Sequence, residues 1–272
     1  MKFKKLATSM AIAASIVGVS SAAQAAPVQL GFVLDRSGSI GSSNWTTIVN
    51  GLANAINTLV PLGGSYDVSV VSFASTASID INSYLVTDAA SRTTLAGLIQ
   101  SIAFSGGGTA FGPAFNAMQT ALTDAVGTGY GAGAATTAAT ADASYINFAT
   151  DGVQADVAAG KVARDALITA GIDNISIEGI GSGVDANDLK TNYCYPGPCD
   201  ATSPYGFPTY GFYIGVADAA GYAAAIGNKI QVVTGQVPEP GSLALLGLGL
   251  AGLAAVSRRR NGSTKRQALA AA

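Results

Sequence analysis

The sequence contains no histidine, and only two of its 272 residues are cysteines. The absence of histidine excludes Ser-His-Asp hydrolases, Cys-His nucleophiles and zinc sites built on imidazole. Long apolar runs are also absent from the middle of the chain: the two that exist, Leu6–Val19 and Leu243–Val256, lie near its ends. Both ends therefore resemble export or sorting segments, and we expect neither to belong to the folded domain.

Residues 1–26 have the features of a secretory signal peptide. Three lysines precede the apolar run that ends at Val19, and the small-residue sequence Ala-Gln-Ala-Ala follows, ending at Ala26. Such a short run followed by small residues is typical of a signal-peptidase site. We expect export with cleavage near Ala25 or Ala26, and an uncleaved N-terminal membrane helix is the alternative.

The other end carries Pro-Glu-Pro at residues 238–240, a glycine-rich apolar run over Leu243–Val256, and three arginines at residues 258–260. Residues 238–260 thereby resemble a PEP-CTERM sorting signal of Gram-negative bacteria, followed by a short extension over residues 261–272. The resemblance implies transient anchoring in the inner membrane, cleavage by an exosortase, and release to the cell surface or an extracellular matrix. The alternative is a transmembrane anchor that is retained.

Residues 27–237 are long enough for one domain with a sizeable core. Only 6 of the 14 basic residues lie there, against 15 of the 16 acidic ones, so the domain has a net charge of about −9. This charge opposes binding to nucleic acid or an anionic membrane, and it suits a protein that binds cations.

The central region alternates strand and helix patterns. A three-residue link between the second and third strands is too short for a parallel crossover, so the third should be an antiparallel edge strand. We expect Ser42 or Ser43 to cap the first helix and Asp88 to begin the second. The pattern predicts an α/β fold, a doubly wound, mostly parallel six-stranded sheet with helices on both faces. The predicted strands are Val28–Leu34, Tyr66–Phe73, Ala77–Leu85, Tyr145–Thr150, Ile175–Ile180 and Gly211–Val216.

Cys194 and Cys199 lie in Cys-Tyr-Pro-Gly-Pro-Cys. In an exported protein we expect a disulfide around a tight turn, with two free thiols as the alternative. The tyrosine- and proline-rich stretch from Tyr193 to Tyr210 is either a recognition surface or, more simply, a surface loop held by this disulfide.

Three polar clusters follow buried segments or a glycine-rich loop: residues 35–39, Asp-Arg-Ser-Gly-Ser; residues 108–109, Gly-Thr; and residues 150–152, Thr-Asp-Gly. Ligands of open α/β sheets bind beyond the carboxyl ends of the strands, where two of these clusters lie, and the third can fold over the same edge. Together they offer two carboxylates and three hydroxyls. An all-oxygen set with few charges favours Mg²⁺ or Mn²⁺ over Ca²⁺, and an incomplete shell can accept an acidic oxygen from outside.

With these residues in this order, the chain resembles von Willebrand factor type A domains and their metal-ion-dependent adhesion site. The resemblance implies that Ser37, Ser39 and Thr109 supply hydroxyls, while Asp35 and Asp151 act directly or through water. It also implies that Gly38 and Gly152 allow tight backbone turns beside the ion. Arg36 is expected to face solvent, because a cation beside the metal would compete with it.

The leading functional interpretation is an adhesion module whose cation engages a carboxylate of a protein or an acidic polysaccharide. An enzyme is the first alternative, but an aspartyl nucleophile would need a second acid where Ser37 stands, and no lysine lies near the clusters. We therefore expect no catalysis. The other alternative is a structural matrix protein in which the metal only stabilises the domain.

Overall fold

The computed structural model describes residues 26–123, 138, 141–199 and 207–235. Within them the chain forms six strands, which are β1 Val28–Asp35, β2 Tyr66–Phe73, β3 Ala77–Leu85, β4 Ser144–Thr150, β5 Asn174–Ile180 and β6 Tyr213–Val216. They form one sheet with the strand order β3-β2-β1-β4-β5-β6.

β1 lies in the middle of the sheet and pairs in parallel with β2 on one side and β4 on the other. β5 and β6 continue the parallel arrangement, whereas β3 runs antiparallel to β2 at the edge. The predicted fold class is therefore confirmed. The chain first builds the sheet from β1 towards β3 and then returns to the other side of β1, so the direction of winding changes between β1 and β4.

Helices cover both faces of the sheet. They are α1 Gly41–Leu59, α2 Ala89–Gln100, α3 Phe111–Thr123, α4 Val157–Thr169, the short α5 Ala186–Asp188, and α6 Ala219–Val233, and a π-helical turn over Leu189–Tyr193 follows α5. One buried cluster joins the sheet to α1, α2 and α6, and a second joins the opposite face to α3 and α4. The helices α1 and α6 pack closely, since a Cβ on Gly51 would lie 2.5 Å from the Cβ of Ala223.

The two expectations about helix starts have different outcomes. Asp88 caps α2 in a reciprocal arrangement: its carboxylate accepts from the Ser91 amide at 2.7 Å, and the Ser91 hydroxyl accepts from the Asp88 amide at 2.9 Å. The expected cap of α1 by Ser42 or Ser43 is wrong. The helix begins at Gly41 without a side-chain cap, so both serines already lie in its first turn.

A buried ion pair between β5 and α6 was not expected from the sequence. Lys229 Nζ lies 3.0 Å from Glu178 Oε1, and both side chains are almost completely buried. The Asn147 side chain donates to the other carboxylate oxygen, and Nζ also lies over the ring of Phe212. Burial lowers the pKa of Lys229 and raises that of Glu178, while their mutual attraction opposes both shifts. The pair joins the last helix to the sheet.

Cys194 and Cys199 form a disulfide, as expected in preference to free thiols. Tyr193, directly before it, is fully buried, so this end of the tyrosine-rich stretch is not a recognition surface. No helix within the described residues is both long and apolar enough to cross a membrane. All of the predicted signal peptide (residues 1–26) except its last residue lies outside the described residues, as do the sorting segment (238–260) and the extension (261–272).

Candidate metal centre

The centre lies where β1 and β4 end side by side. Leu34 of β1 is in register with Ala149 of β4, so the next residues, Asp35 and Thr150, are neighbours at the same edge. The Thr150 hydroxyl donates to Asp35 Oδ2 at 2.7 Å, and both residues are buried. Thr150 was noted in the sequence only as part of the third cluster. The structure gives it the function of orienting the Asp35 carboxylate.

A continuous chain of polar contacts links the first cluster to the third. The Ser37 amide donates to Asp35 Oδ1 at 2.8 Å, and the Ser37 and Ser39 hydroxyl oxygens lie 3.0 Å apart. The Ser39 hydroxyl donates to Asp151 Oδ1 at 2.7 Å. Four of the five predicted ligand residues therefore lie in one connected group.

Thr109, the fifth, is brought to this group by backbone contacts of its glycine-rich loop. The Gly38 amide donates to the carbonyl of Gly107 at 2.9 Å, and the Gly106 amide to that of Arg36 at 3.1 Å. A Cβ on Gly152 would lie 3.3 Å from Thr109 Oγ1 and 3.8 Å from Ser39 Oγ. The hydroxyl of Thr109 therefore lies beside the third cluster.

The glycines matter in a different way from the one expected. Gly38 and Gly152 do not have positive φ angles. In the loops of the site, positive φ angles occur in the glycine-rich loop, where φ is 69° at Gly106 and 107° at Gly107. Gly152 is needed for space, because a side chain there would crowd the Thr109 hydroxyl. The tight turns therefore belong to the second loop of the site, residues 101–110 between α2 and α3, and the close approach belongs to the third loop, residues 151–156 between β4 and α4.

A fourth segment, the short link between β2 and β3, also supports the site. The Ser75 hydroxyl accepts from the Gly108 amide at 2.8 Å, and the carbonyl of Ala74 accepts from the Ala110 amide at 2.9 Å. This contribution was not predicted. The signal was available, because β2 is parallel to β1 and its end must lie at the same edge of the sheet.

Asp156 joins the third loop to the start of α3. Although it directly precedes α4, its carboxylate makes no capping hydrogen bond to that helix. It instead accepts from the amides of Phe111 and Gly112 at 2.8 and 2.7 Å, the first residues of α3. An anionic group at this end of a helix is stabilised by unpaired amides and the helix dipole. The loop that carries Asp151 is thus tied to the helix that follows Thr109.

Arg36 was expected to face solvent instead of the ion, and the structure bears this out only in part. Its guanidinium points away from the candidate ligands but is half-buried, donating to Ser78 Oγ at 2.9 Å and to the carbonyl of Ala103 at 3.2 Å. Burial raises the pKa of nearby Asp80, and the charge of Arg36 opposes this rise. Arg36 therefore holds the first loop against β3 and the segment after α2.

Burial dominates the electrostatics of the centre. It raises the pKa of Asp35 to about 6, against smaller lowering effects of hydrogen bonds from Ser37 and Thr150, and the nearby Asp151 carboxylate raises it further. The pKa of Asp151 is also raised by burial, while the Ser39 hydroxyl opposes the shift. Two carboxylates that are costly to ionise favour a nearby positive charge.

The residues fit a small divalent cation. Adjacent ligands around an octahedral Mg²⁺ are separated by roughly 2.9 Å, from metal–oxygen distances of about 2.05 Å. The spacings of 3.0 Å between Ser37 Oγ and Ser39 Oγ and 2.7 Å between Ser39 Oγ and Asp151 Oδ1 are close to this value. In the described part of the chain no cluster of three His, Cys, Asp or Glu side chains suits a metal, so a site here depends on the hydroxyls.

Two family models match the sequence. The von Willebrand factor type A domain matches residues 29–194, and the PEP-CTERM protein-sorting motif matches residues 236–260. No curated protein sequence matches the chain significantly.

Solved structures share the fold at low sequence identity. Proximal thread matrix protein 1 of the mussel byssus, with a zinc-occupied MIDAS motif, is 14% identical over 77% of this chain, with a TM-score of 0.57. The pilus adhesin SpaC of Lactobacillus rhamnosus GG is 14% identical over 78%, with a TM-score of 0.54. The manganese-loaded TRAP protein of Plasmodium vivax is 20% identical over 74%, with a TM-score of 0.50.

The matched region spans 48% of the mussel protein, 31% of the adhesin and 72% of the Plasmodium protein. At these identities the structures establish the fold alone. The family-model match, by contrast, covers most of the chain and includes the loops of the candidate centre. The chain belongs to the von Willebrand factor type A domain family and carries a PEP-CTERM protein-sorting motif.

Proposed function

We propose that this protein is an exported, metal-ion-dependent binding module. Asp35, Ser37, Ser39, Thr109 and Asp151 would hold one divalent cation, Mg²⁺ or Mn²⁺, at the edge of the sheet. When bound, the cation would supply a coordination position for a carboxylate of a partner, either a protein or an acidic polysaccharide.

The observation that carries this proposal is the meeting of five oxygen-bearing side chains from three loops that are far apart in sequence. Asp35, Ser37 and Thr109 are buried, whereas Ser39 is exposed and Asp151 is half-exposed. One side of the group is therefore buried and the other is exposed to solvent. The buried side excludes water from the ion, and the exposed side gives a partner access to it.

The charges of the donors support binding to an acidic group. The chain contributes only two carboxylates, and its other donors are neutral hydroxyls, so a partner carboxylate would improve the neutralisation of the cation. Arg36 is directed away from the centre and does not compete for that partner. The pilus adhesin and the manganese-loaded parasite protein, which share the fold, agree with this proposal.

We propose no catalytic activity. The chain has no histidine. The position two residues after Asp35 is occupied by Ser37, whose hydroxyl contacts Ser39 and cannot act as a second acid. The acidic side chains of the centre are oriented by hydroxyl groups, and this arrangement suits holding an ion better than transferring a proton.

The sorting motif implies export and delivery to the cell surface or the extracellular space. Here we propose a more specific route, with transient anchoring in the inner membrane of a Gram-negative bacterium through residues 238–260 and processing by an exosortase. The acidic domain would then act at the surface or in the matrix, without binding nucleic acid.

Metal binding and partner binding can be tested together. Calorimetry should detect Mg²⁺ or Mn²⁺ uptake by the wild type. In a pull-down from matrix extract, the material that the immobilised protein retains should be released by EDTA. Thr109→Ala removes a candidate ligand and should abolish both. Thr94→Ala is the matched control, because Thr94 is exposed on α2 and its hydroxyl contacts only a carbonyl of its own helix. Retention that is unchanged in EDTA would contradict the proposal.

A structural function in a matrix is the second candidate, and the likeness to the mussel thread matrix protein favours it. In that case the cation would stabilise the domain without binding any partner. Thermal unfolding with increasing Mg²⁺, in the presence and absence of matrix extract, separates the two candidates. Stabilisation by the ion without retention of any extract component would favour the structural function.

A further inference from the structure

Tyr193 connects the disulfide segment to the third loop of the candidate metal centre. It is fully buried directly before Cys194, and its hydroxyl donates to Gln154 Oε1 at 2.5 Å. Gln154 is also buried, and its amide nitrogen donates to Asp188 Oδ2 at 2.8 Å. Both ends of the Gln154 amide are therefore held by the segment that follows β5.

Gln154 lies between two contacts that belong to the centre. Three residues before it, Asp151 accepts from the Ser39 hydroxyl. One residue after it, the amide of Ala155 donates to the carbonyl of Thr109 at 2.8 Å. A displacement of Gln154 would therefore change the positions of two candidate ligands, Asp151 and Thr109, relative to each other.

The ring of Tyr193 is itself held in place. It stacks on Phe115 with centroids 5.9 Å apart and meets Phe111 edge-on at 5.2 Å. Phe111 begins α3, only two residues after Thr109. Two residues after Tyr193, Tyr195 forms two backbone hydrogen bonds with Ile175 of β5, at 2.7 and 2.9 Å. Tyr193 is thus fixed between the sheet and α3, with its hydroxyl directed at the third loop.

We propose that Tyr193 and Gln154 are positioning residues for the metal centre, an inference that rests on the proposed function. Their hydrogen bond holds the loop of Asp151 against α3, so the ligand oxygens are in place before an ion arrives. Binding then requires less ordering of the loop, which increases affinity. Without this bond the aromatic packing would remain, but the third loop would lose its attachment to Tyr193.

The test compares two tyrosine-to-phenylalanine variants of the full-length protein. Tyr193→Phe keeps the ring and removes the hydroxyl, which donates to Gln154 Oε1 and has a longer contact, 3.3 Å, with the carbonyl of Val157 at the start of α4. Tyr222→Phe is the matched control, because Tyr222 is also fully buried but its hydroxyl has no hydrogen-bond partner within the described chain. Mn²⁺ affinity is measured by calorimetry, and the free energy of unfolding in EDTA is measured by urea denaturation.

We expect Tyr193→Phe to weaken Mn²⁺ binding about tenfold, the lower end of the effect of removing groups that orient metal ligands. Tyr222→Phe should leave the affinity unchanged, whatever its effect on unfolding. Gln154→Met should weaken binding at least as much, because it also removes the hydrogen bond to Asp188. The double variant should lose less affinity than the sum of the two single changes, because both remove the bond between Tyr193 and Gln154.

The outcomes separate this inference from the function on which it rests. Absence of Mn²⁺ uptake by the wild type would overturn the metal-binding proposal and this inference together. Uptake by the wild type with equal affinity in Tyr193→Phe would overturn only the positioning role. If Mn²⁺ binding were weakened equally in Tyr193→Phe and Tyr222→Phe, the positioning role would also be overturned, because the loss of affinity would then come from general destabilisation of the domain.

Discussion

Replacing Asp35 by asparagine tests the electrostatics of the centre while keeping the size of the side chain. Asp35 is 1% exposed, and burial raises the pKa of its carboxyl from 3.8 to about 6. The folded, metal-free protein therefore binds this proton more tightly than the unfolded chain does. By linkage, the stability of the metal-free protein is highest below pH 3.8 with respect to this group and decreases as the pH rises through 6.

The rise in the pKa of Asp35 gives the size of this loss of stability. Raising the pKa from 3.8 to about 6 corresponds to about 3 kcal/mol, at 1.36 kcal/mol per pKa unit. At pH values well above the pKa of Asp35, the ionised carboxylate destabilises the metal-free protein by up to that amount. Asparagine carries no charge, so Asp35→Asn should be more stable than the wild type in EDTA by at most about 3 kcal/mol. The gain is reduced because the Thr150 hydroxyl loses a carboxylate acceptor.

A divalent cation should reverse the order of stability. It stabilises the ionised carboxylate of the wild type, so Mg²⁺ should raise the free energy of unfolding of the wild type and not that of Asp35→Asn. Because Asp35 must be ionised to bind, the Mg²⁺ affinity of the wild type should fall as the pH drops below about 6.

Urea denaturation of both proteins in EDTA and in millimolar Mg²⁺, over a range of pH, measures these effects. Asp165→Asn is the control, since the side chain of Asp165 is 65% exposed and its ion pair among the described residues is with the neighbouring Arg164. An Asp35→Asn protein that is less stable than the wild type in EDTA at alkaline pH, or that is still stabilised by Mg²⁺, would refute the reasoning.

Two further substitutions test other parts of the structure. Gly152→Ala should weaken Mg²⁺ binding severalfold in calorimetry, because its Cβ would lie 3.3 Å from Thr109 Oγ1. Gly97→Ala is the control and should leave binding unchanged, because among the described residues its Cβ would meet nothing within 4 Å beyond its chain neighbours and the backbone of its own helix; equal affinities of the two variants would argue against crowding. Glu178→Gln should lower the free energy of unfolding by about 3–5 kcal/mol in urea denaturation, because it leaves Lys229 buried without a counter-charge. Wild-type stability of that variant would show that the ion pair contributes nothing to folding.

Much of the fold was predictable because local signals and the rules of sheet topology agree. The bounds of β2 and β3 match the predicted Tyr66–Phe73 and Ala77–Leu85, since glycine, serine and threonine residues interrupt the apolar pattern there. β6 is shorter than predicted, beginning at Tyr213. Here the pattern alone does not show where pairing with β5 begins.

The convergence of the candidate ligands was also predictable, because Asp35 and Asp151 follow strands whose ends must lie at one edge. Their spacing and order point to the same arrangement that the structure shows. The assignment of these side chains as metal ligands stays a prediction that calorimetry can test.

What sequence reasoning missed depends on contacts between distant segments. Asp156 precedes α4 and has the residue type of a local cap, but its partners are the amides at the start of α3. The expected exposure of Arg36 holds only in part because its partners, Ser78 and the Ala103 carbonyl, come from other elements. Neither pairing leaves a periodic pattern in the sequence.

The buried pair of Glu178 and Lys229 has a mechanical consequence for the end of the domain. The segment that matches the sorting motif begins at residue 236, and only Thr234 and Gly235 separate it from the end of α6 at Val233, so a force applied to that segment acts first on this helix. Sliding α6 along its axis by one turn, about 5.4 Å, would separate the ammonium from the carboxylate and leave both ions in an apolar interior. The pair therefore restricts α6 to a single axial position and resists shear between the helix and the sheet.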